Sequence, residues 1–182
     1  TVAVHLVVEA CAAGLEPVLP AAAAVQARNT PLEIIDLGSG TGANLRYAAP
    51  LLGGVQEWLL VERDPLLIDA TQVRMQAWSH SVRAEGFECR FQSLALDLAD
   101  QLDELPLCRE VLLTASALLD LVSEHWLRAR IGRAADAAAT IWFTLTYDGS
   151  IDCHPAEVED PEGRKLFNLH QRGDKGFGIP LE

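Results

Sequence analysis

Residues 33–42 read Glu33-Ile34-Ile35-Asp36-Leu37-Gly38-Ser39-Gly40-Thr41-Gly42, an apolar run that ends in an acidic residue and then three glycines at alternate positions. A short, continuous apolar run that stops at glycines reads as a buried strand entering a tight turn. Past the turn, Leu45, Ala48, Ala49 and Leu52 fall at i, i+3, i+4 and i+7, and the run halts at Gly53-Gly54, so a helix follows the strand. Strand, glycine turn and helix in this order bring backbone N–H groups beyond the carboxyl end of a strand. That is where open α/β sheets bind ligands, and a side chain there would keep the ligand away.

Outward from this segment the alternation continues. The stretches 32–37, 57–63, 88–94, 109–115 and 139–147 read as strands. Pro65 opens a helix on which Leu66, Ala70, Val73 and Ala77 repeat as far as Ser81, with Asp64 as its N-cap. Over 121–136, Leu127, Ile131, Ala134 and Ala135 mark another helix face. Strands separated by such crossovers imply a mostly parallel sheet with helices on both faces, a doubly wound, Rossmann-like α/β fold. Residues 2–27 are Ala-rich and divided near Pro17–Pro20, which predicts one or two helices packed beside the sheet. The expected organisation is a helical cap over 1–29, a core over 30–147 and a polar tail over 148–182 with a helix at 161–171. The tail segment 170–178 mixes donors, acceptors and glycines in the manner of a binding loop.

Of 182 residues, 14 are Lys or Arg and 26 are Asp or Glu, a formal net charge of −12. Phosphate-backbone binders carry a basic face, so nucleic acid and anionic membranes are not expected partners. With 49% apolar and 22% charged residues the composition is that of one ordinary globular domain. Cys11, Cys89, Cys108 and Cys153 form no CxxC pair, so neither a zinc site nor a dithiol is expected. Reduced thiols suggest a cytoplasmic protein. The apolar start, broken by His5, Glu9, Glu16, Pro17 and Pro20, predicts neither a signal peptide nor a membrane span.

Two nucleotide classes compete for the glycine turn. The dinucleotide fingerprint would place its third glycine at position 43, which is Ala43, a residue that place tolerates. The arrangement Asp-x-Gly-x-Gly-x-Gly over 36–42 resembles motif I of the class I S-adenosylmethionine (SAM)-dependent methyltransferases. A carboxylate two places before the glycines suits a ligand with a sulfonium and an amino group, and repels a pyrophosphate. Val61-Glu62-Arg63-Asp64-Pro65 is similar to that family's acidic residue at the end of the second strand, where a carboxylate accepts from a ribose diol. Ala95-Leu96-Asp97-Leu98 lies where the family meets the adenine ring. The resemblance, which covers roughly residues 30–147, therefore implies SAM as cofactor, held by Asp36, Gly38, Ser39, Gly40, Gly42, Glu62, Asp97 and Leu98.

It also implies methyl transfer to a small molecule, because 111–121 lacks the D/N-P-P-Y/F signature of enzymes that methylate amide or exocyclic amine nitrogens. Such transfer needs mainly proximity, and a base only where the nucleophile must lose a proton. Candidates for that base are Asp120, His154 and His170. The family core ends in two further strands, one antiparallel, and nothing after Tyr147 reads as that pair. This suggests a truncated or a natural short form whose fifth strand leaves an edge for the tail or a second copy in a homodimer. An NAD-dependent oxidoreductase and a non-catalytic methyltransferase-like binding module stay open as alternatives. The first is disfavoured by Asp36 and by the lack of a Tyr-x-x-x-Lys pair.

Overall fold

The structure is a computed structural model, and it describes residues 4–7, 18–27, 29–81, 86–144, 154–173 and 177. Six strands form one sheet: β1 (Val4–Val7), β2 (Leu32–Leu37), β3 (Gly54–Glu62), β4 (Phe87–Ala95), β5 (Val111–Ser116) and β6 (Thr140–Thr144). Their order is β1-β6-β5-β2-β3-β4, and every neighbouring pair is parallel. The helices are α1 (Leu19–Gln26), α2 (Ala43–Leu52), α3 (Pro65–Ser81), α4 (Glu124–Asp136) and α5 (Asp160–Gln171). The chain is thus a doubly wound α/β fold. From β2 it runs outward through β3 and β4, then crosses back to lay β5 and β6 on the other side of β2. The reversal puts a topological switch point between β2 and β5, and open sheets of this kind bind ligands at that crevice.

Two apolar clusters sandwich the sheet. One joins α1, α2 and α3 to its first face through Val18, Ala22, Leu45, Ala48, Met75 and Trp142. The other joins α4 and the segment after β4 to the second face through Leu96, Leu98, Leu113, Val122, Trp126 and Phe143. The 87–95 strand alternates half-buried and exposed residues, so its outer positions Glu88, Arg90 and Gln92 meet water, and Arg90 pairs with Glu57 and Glu88. That edge is blunted by charge.

Three differences from the sequence reading are informative. Residues 4–7, expected in a helical cap, are a strand that pairs in parallel with β6. The far edge of β6, which had argued for a second copy, is therefore covered by the chain itself. A strand's identity depends on a partner distant in sequence, and an Ala-rich neighbourhood hides it. Helix α1 does pack against the sheet as expected, through Val18 and Ala22. The rest of the expected cap over 8–17 and the end of the fifth predicted strand over 145–147 lie outside the described residues.

The second difference is the rotation of α3. Leu66 and Val73, expected inward, are 74% and 70% exposed, and the buried residues are Thr71 and Met75. Gly42 explains this: a Cβ built on it would lie 3.4 Å from both Met75 Sδ and Thr71 Cγ2. The missing side chain leaves the hole that these two residues fill, and close packing fixes the helix about its axis. The Asp64 N-cap is present as expected, with Asp64 Oδ1 accepting from Leu66 N at 2.8 Å.

The third is the β4–β5 connection, which carries only a short 3-10 turn, Leu102–Glu104. The tail holds α5, as its spacing predicts. No described helix is long and apolar enough to cross a membrane.

Candidate functional site

At the switch point the chain leaves β2 through the glycine turn, and three glycines answer three demands. Gly38, at φ +64°, faces Leu118, whose Cδ1 would lie 3.4 Å from an added Cβ, so the ends of β2 and β5 come close. Gly40 has φ +54° and nothing within 4 Å of the place a Cβ would take, so its peptide is open to a ligand. Gly42 is the left-handed N-cap of α2, and its reason is the packing of α3.

Three of the turn's N–H donors are already used. Ser39 N donates to Val61 O at 3.0 Å, Gly42 N to Ser39 O at 2.8 Å and Gly40 N to Glu62 Oε2 at 3.0 Å. Thr71 Oγ1 donates to Gly40 O at 2.9 Å, and Arg46 and Arg74 donate to Thr41 O and Oγ1. The turn is therefore a pre-formed surface held from β3, α2 and α3.

Glu62 is the hub on the β3 side. Its Oε1 accepts from Arg63 N at 2.9 Å and from Asp64 N at 3.0 Å, while Oε2 takes the Gly40 peptide. A carboxylate offers about four acceptor positions, so one remains, on Oε2. Asp36 is placed differently. Only 1% exposed, it lies beneath the turn, where Asn44 Nδ2 donates to its Oδ1 at 2.8 Å and also to Thr114 Oγ1 at 3.1 Å. Its Oδ2 has no hydrogen-bond partner. Burial raises its carboxyl from 3.8 to about 7, opposed by the Asn44 hydrogen bond. Burial thus favours the neutral form of Asp36, and the repulsion of a pyrophosphate expected from it is correspondingly weakened.

A cleft of about 280 Å³ opens here, lined by Gly38, Glu62, Arg63, Leu96, Leu98, Ala117, Leu118, Leu121 and Phe177. Among the expected cofactor-binding residues, Gly38, Glu62 and Leu98 line it. Asp36 and Ser39 are buried under it, and Gly40 reaches it through Glu62. Asp97 stands beside it in a turn, with Oδ1 accepting from Ala99 N at 2.9 Å and Oδ2 meeting Arg63 Nη1 at 3.3 Å. The pair is exposed and contributes little to stability.

Asp120 immediately precedes the lining residue Leu121. Its Oδ1 is buried without a partner, and burial raises its carboxyl. His154 and His170 are exposed, and neither lines the cleft. The sequence marks Arg63, Leu118 and Leu121 only by their proximity to strand ends, and Phe177 only as a member of the 170–178 segment read as a binding loop. Among the described residues no group of His, Cys, Asp and Glu is placed to hold a metal. A second cavity of about 220 Å³ lies at the opposite end of the sheet, between α1 and the starts of β2, β5 and β6.

No protein-family model matches the chain, and no curated protein does. Solved structures do. The arsenic(III) S-adenosylmethionine methyltransferase from Chlamydomonas reinhardtii is 21% identical, with a TM-score of 0.44 over 59% of this chain and 35% of that one. The bifunctional kinase-methyltransferase WbdD is 15% identical, with a TM-score of 0.45 over 71% of this chain and 28% of that one. A SAM-dependent methyltransferase from Aquifex aeolicus is 11% identical, with a TM-score of 0.44 over 82% and 77%. The chain is similar to SAM-dependent methyltransferases of known structure. It spans about a third of the length of the first two.

Proposed function

We propose that this chain binds SAM in the switch-point cleft and acts as a methyltransferase on a small-molecule acceptor. The observation that carries the reading is the internal bonding of Ser39, Gly40 and Gly42 N–H. A dinucleotide is gripped at this place by N–H groups pointing at its pyrophosphate. Here three of those donors are committed to the protein, whereas SAM, with no phosphate, makes no demand on them. Because the Asp36 carboxyl is buried and shifted toward its neutral form, this commitment replaces charge as the discriminator between the two nucleotide classes.

The other residues fit the same ligand. Glu62 keeps one acceptor position for a ribose hydroxyl, and Leu96 and Leu98 offer an apolar surface to a ring. Asp36 supplies a carboxyl whose ionised form a nearby cation favours. When bound, SAM supplies an activated methyl group on a sulfonium. The chain's part is then to hold and align. The acceptor enters from the side of the β5 turn, Ala117–Leu121, where Asp120 is the nearest candidate for a proton-accepting group.

Glu62→Ala tests the placement. It removes the ribose contact and frees the Gly40 peptide, and it is expected to weaken S-adenosylhomocysteine binding by about one to two decades. Titration calorimetry of both forms measures this, and equal affinities would take Glu62 out of the site.

A further inference from the structure

One wall of the cleft comes from outside the sheet. Phe177 lies in the polar tail, far beyond β6 in sequence, yet it is half-buried and lines the cleft with Leu98 and Leu121. Its ring meets Trp126 edge-on, the centroids 5.5 Å apart and the planes at 80°. Trp126 is itself fixed from three sides. Its backbone N–H donates to the Ser123 N-cap at 3.2 Å, its indole N–H donates to Leu98 O at 2.9 Å, and the Arg130 guanidinium stands 5.6 Å from its ring centroid. Phe177 therefore rests on a ring tied to the same segment, Leu96–Leu98, that forms part of the cleft's apolar side.

We propose that Phe177 is a wall of the slot that takes the flat ring of an adenine nucleoside. This rests on the cofactor reading above. A phenyl ring offers a ligand only apolar area and a quadrupole, and the group that gains most from both is another flat ring. The hydrophilic end of the cleft is Glu62 and Arg63. A nucleoside whose ribose meets Glu62 has the apolar lining, Leu96, Leu98, Leu118, Leu121 and Phe177, left for its base. A lone aromatic side chain in a stretch otherwise made of donors, charges and glycines, 170–178, acquires a role that the composition of that stretch does not suggest.

The test is calorimetric titration of the full chain with adenosine and with S-adenosylhomocysteine, for wild type, Phe177→Ala and Phe177→Tyr. Loss of the ring is expected to weaken both ligands by the same factor, about tenfold, and tyrosine is expected to bind as wild type does. Thermal unfolding shows whether each variant is folded. Should the alanine form be unfolded, Phe177→Leu, which keeps apolar volume without the π face, is expected to lose about threefold on both ligands. Unchanged or tighter binding by the alanine form, or by the leucine form standing in for it, overturns the proposal, since tighter binding makes Phe177 a plug. A loss confined to S-adenosylhomocysteine also overturns it, because the contact would then be to the amino-acid end. If the wild-type chain binds neither ligand, the cofactor reading fails and takes the proposal with it. Wild-type binding with indifferent Phe177 variants overturns the proposal alone.

Discussion

Asp36→Asn is expected to abolish the pH dependence of stability that this one carboxyl imposes. In the folded chain burial raises Asp36 to about 7, against 3.8 in the open chain. Between those values the unfolded state gives up its proton and the folded state keeps it. The folded state then binds more protons, so stability falls as pH rises through the window and levels off above about 7. From pH 5 to pH 8 the loss is on the order of 3 kcal/mol, a large part of a domain's total stability.

Asparagine has no charge to desolvate, so it removes this slope. Its oxygen can still accept from Asn44, but its NH2 replaces an oxygen that has no partner, and burying an unpaired donor costs about 1–3 kcal/mol. The variant is therefore expected to be less stable than wild type near pH 5 and comparable or more stable at pH 8. Urea unfolding at both pH values measures the difference of differences, and parallel pH dependences in the two proteins would contradict the buried-carboxyl account. The ligand adds a second readout. A cationic ligand favours the ionised form of Asp36, so wild-type affinity for SAM, which carries the sulfonium, should rise with pH up to about 7, and the asparagine variant should be weaker and lose that rise.

Gly40→Val is expected to abolish ligand binding, a loss of at least two decades, while leaving a folded chain. A Cβ on Gly40 meets nothing within 4 Å, so the valine collides with no part of the protein and projects into open space beside the peptide that Glu62 holds. The cost to the fold is the left-handed φ of +54°, about 1–2 kcal/mol for an L-residue and more for a β-branched one. Gly42 sets the contrast. A side chain there presses on Met75 and Thr71, so Gly42→Val acts first on stability. Calorimetry with S-adenosylhomocysteine and a thermal melt separate the two effects. Normal binding by Gly40→Val would move the ligand away from the glycine turn.

The contrast between these two glycines also shows what could be read from sequence. The spacing of 38, 40 and 42 after an apolar run located the turn, the strand before it and the helix after it, because all three depend on neighbours within a few residues. Leu45, Ala48, Ala49 and Leu52 are buried as their period implied. What depended on distant partners was not legible. Val4–Val7 becomes a strand only because β6 offers an edge, and α3 turns Met75 inward only because Gly42 leaves a hole. The letters at 36 and 62 gave two carboxylates near a ligand. Their environments then divided them: Glu62 is engaged by three backbone N–H groups at the cleft, and Asp36 is sealed beneath the turn with one oxygen unpaired. Phe177 was marked only as a member of the 170–178 segment, since a single aromatic residue in a polar stretch becomes a cleft wall only through Trp126, on a different element.

The central claim is that the switch-point cleft is built for SAM rather than for a dinucleotide. Calorimetric titration of the chain with S-adenosylhomocysteine, with NADH as the paired ligand, tests it most directly. The account predicts micromolar binding of S-adenosylhomocysteine and none of NADH, because the Gly40 N–H is bonded to Glu62 and is not offered to a pyrophosphate. Binding of NADH alone would contradict it.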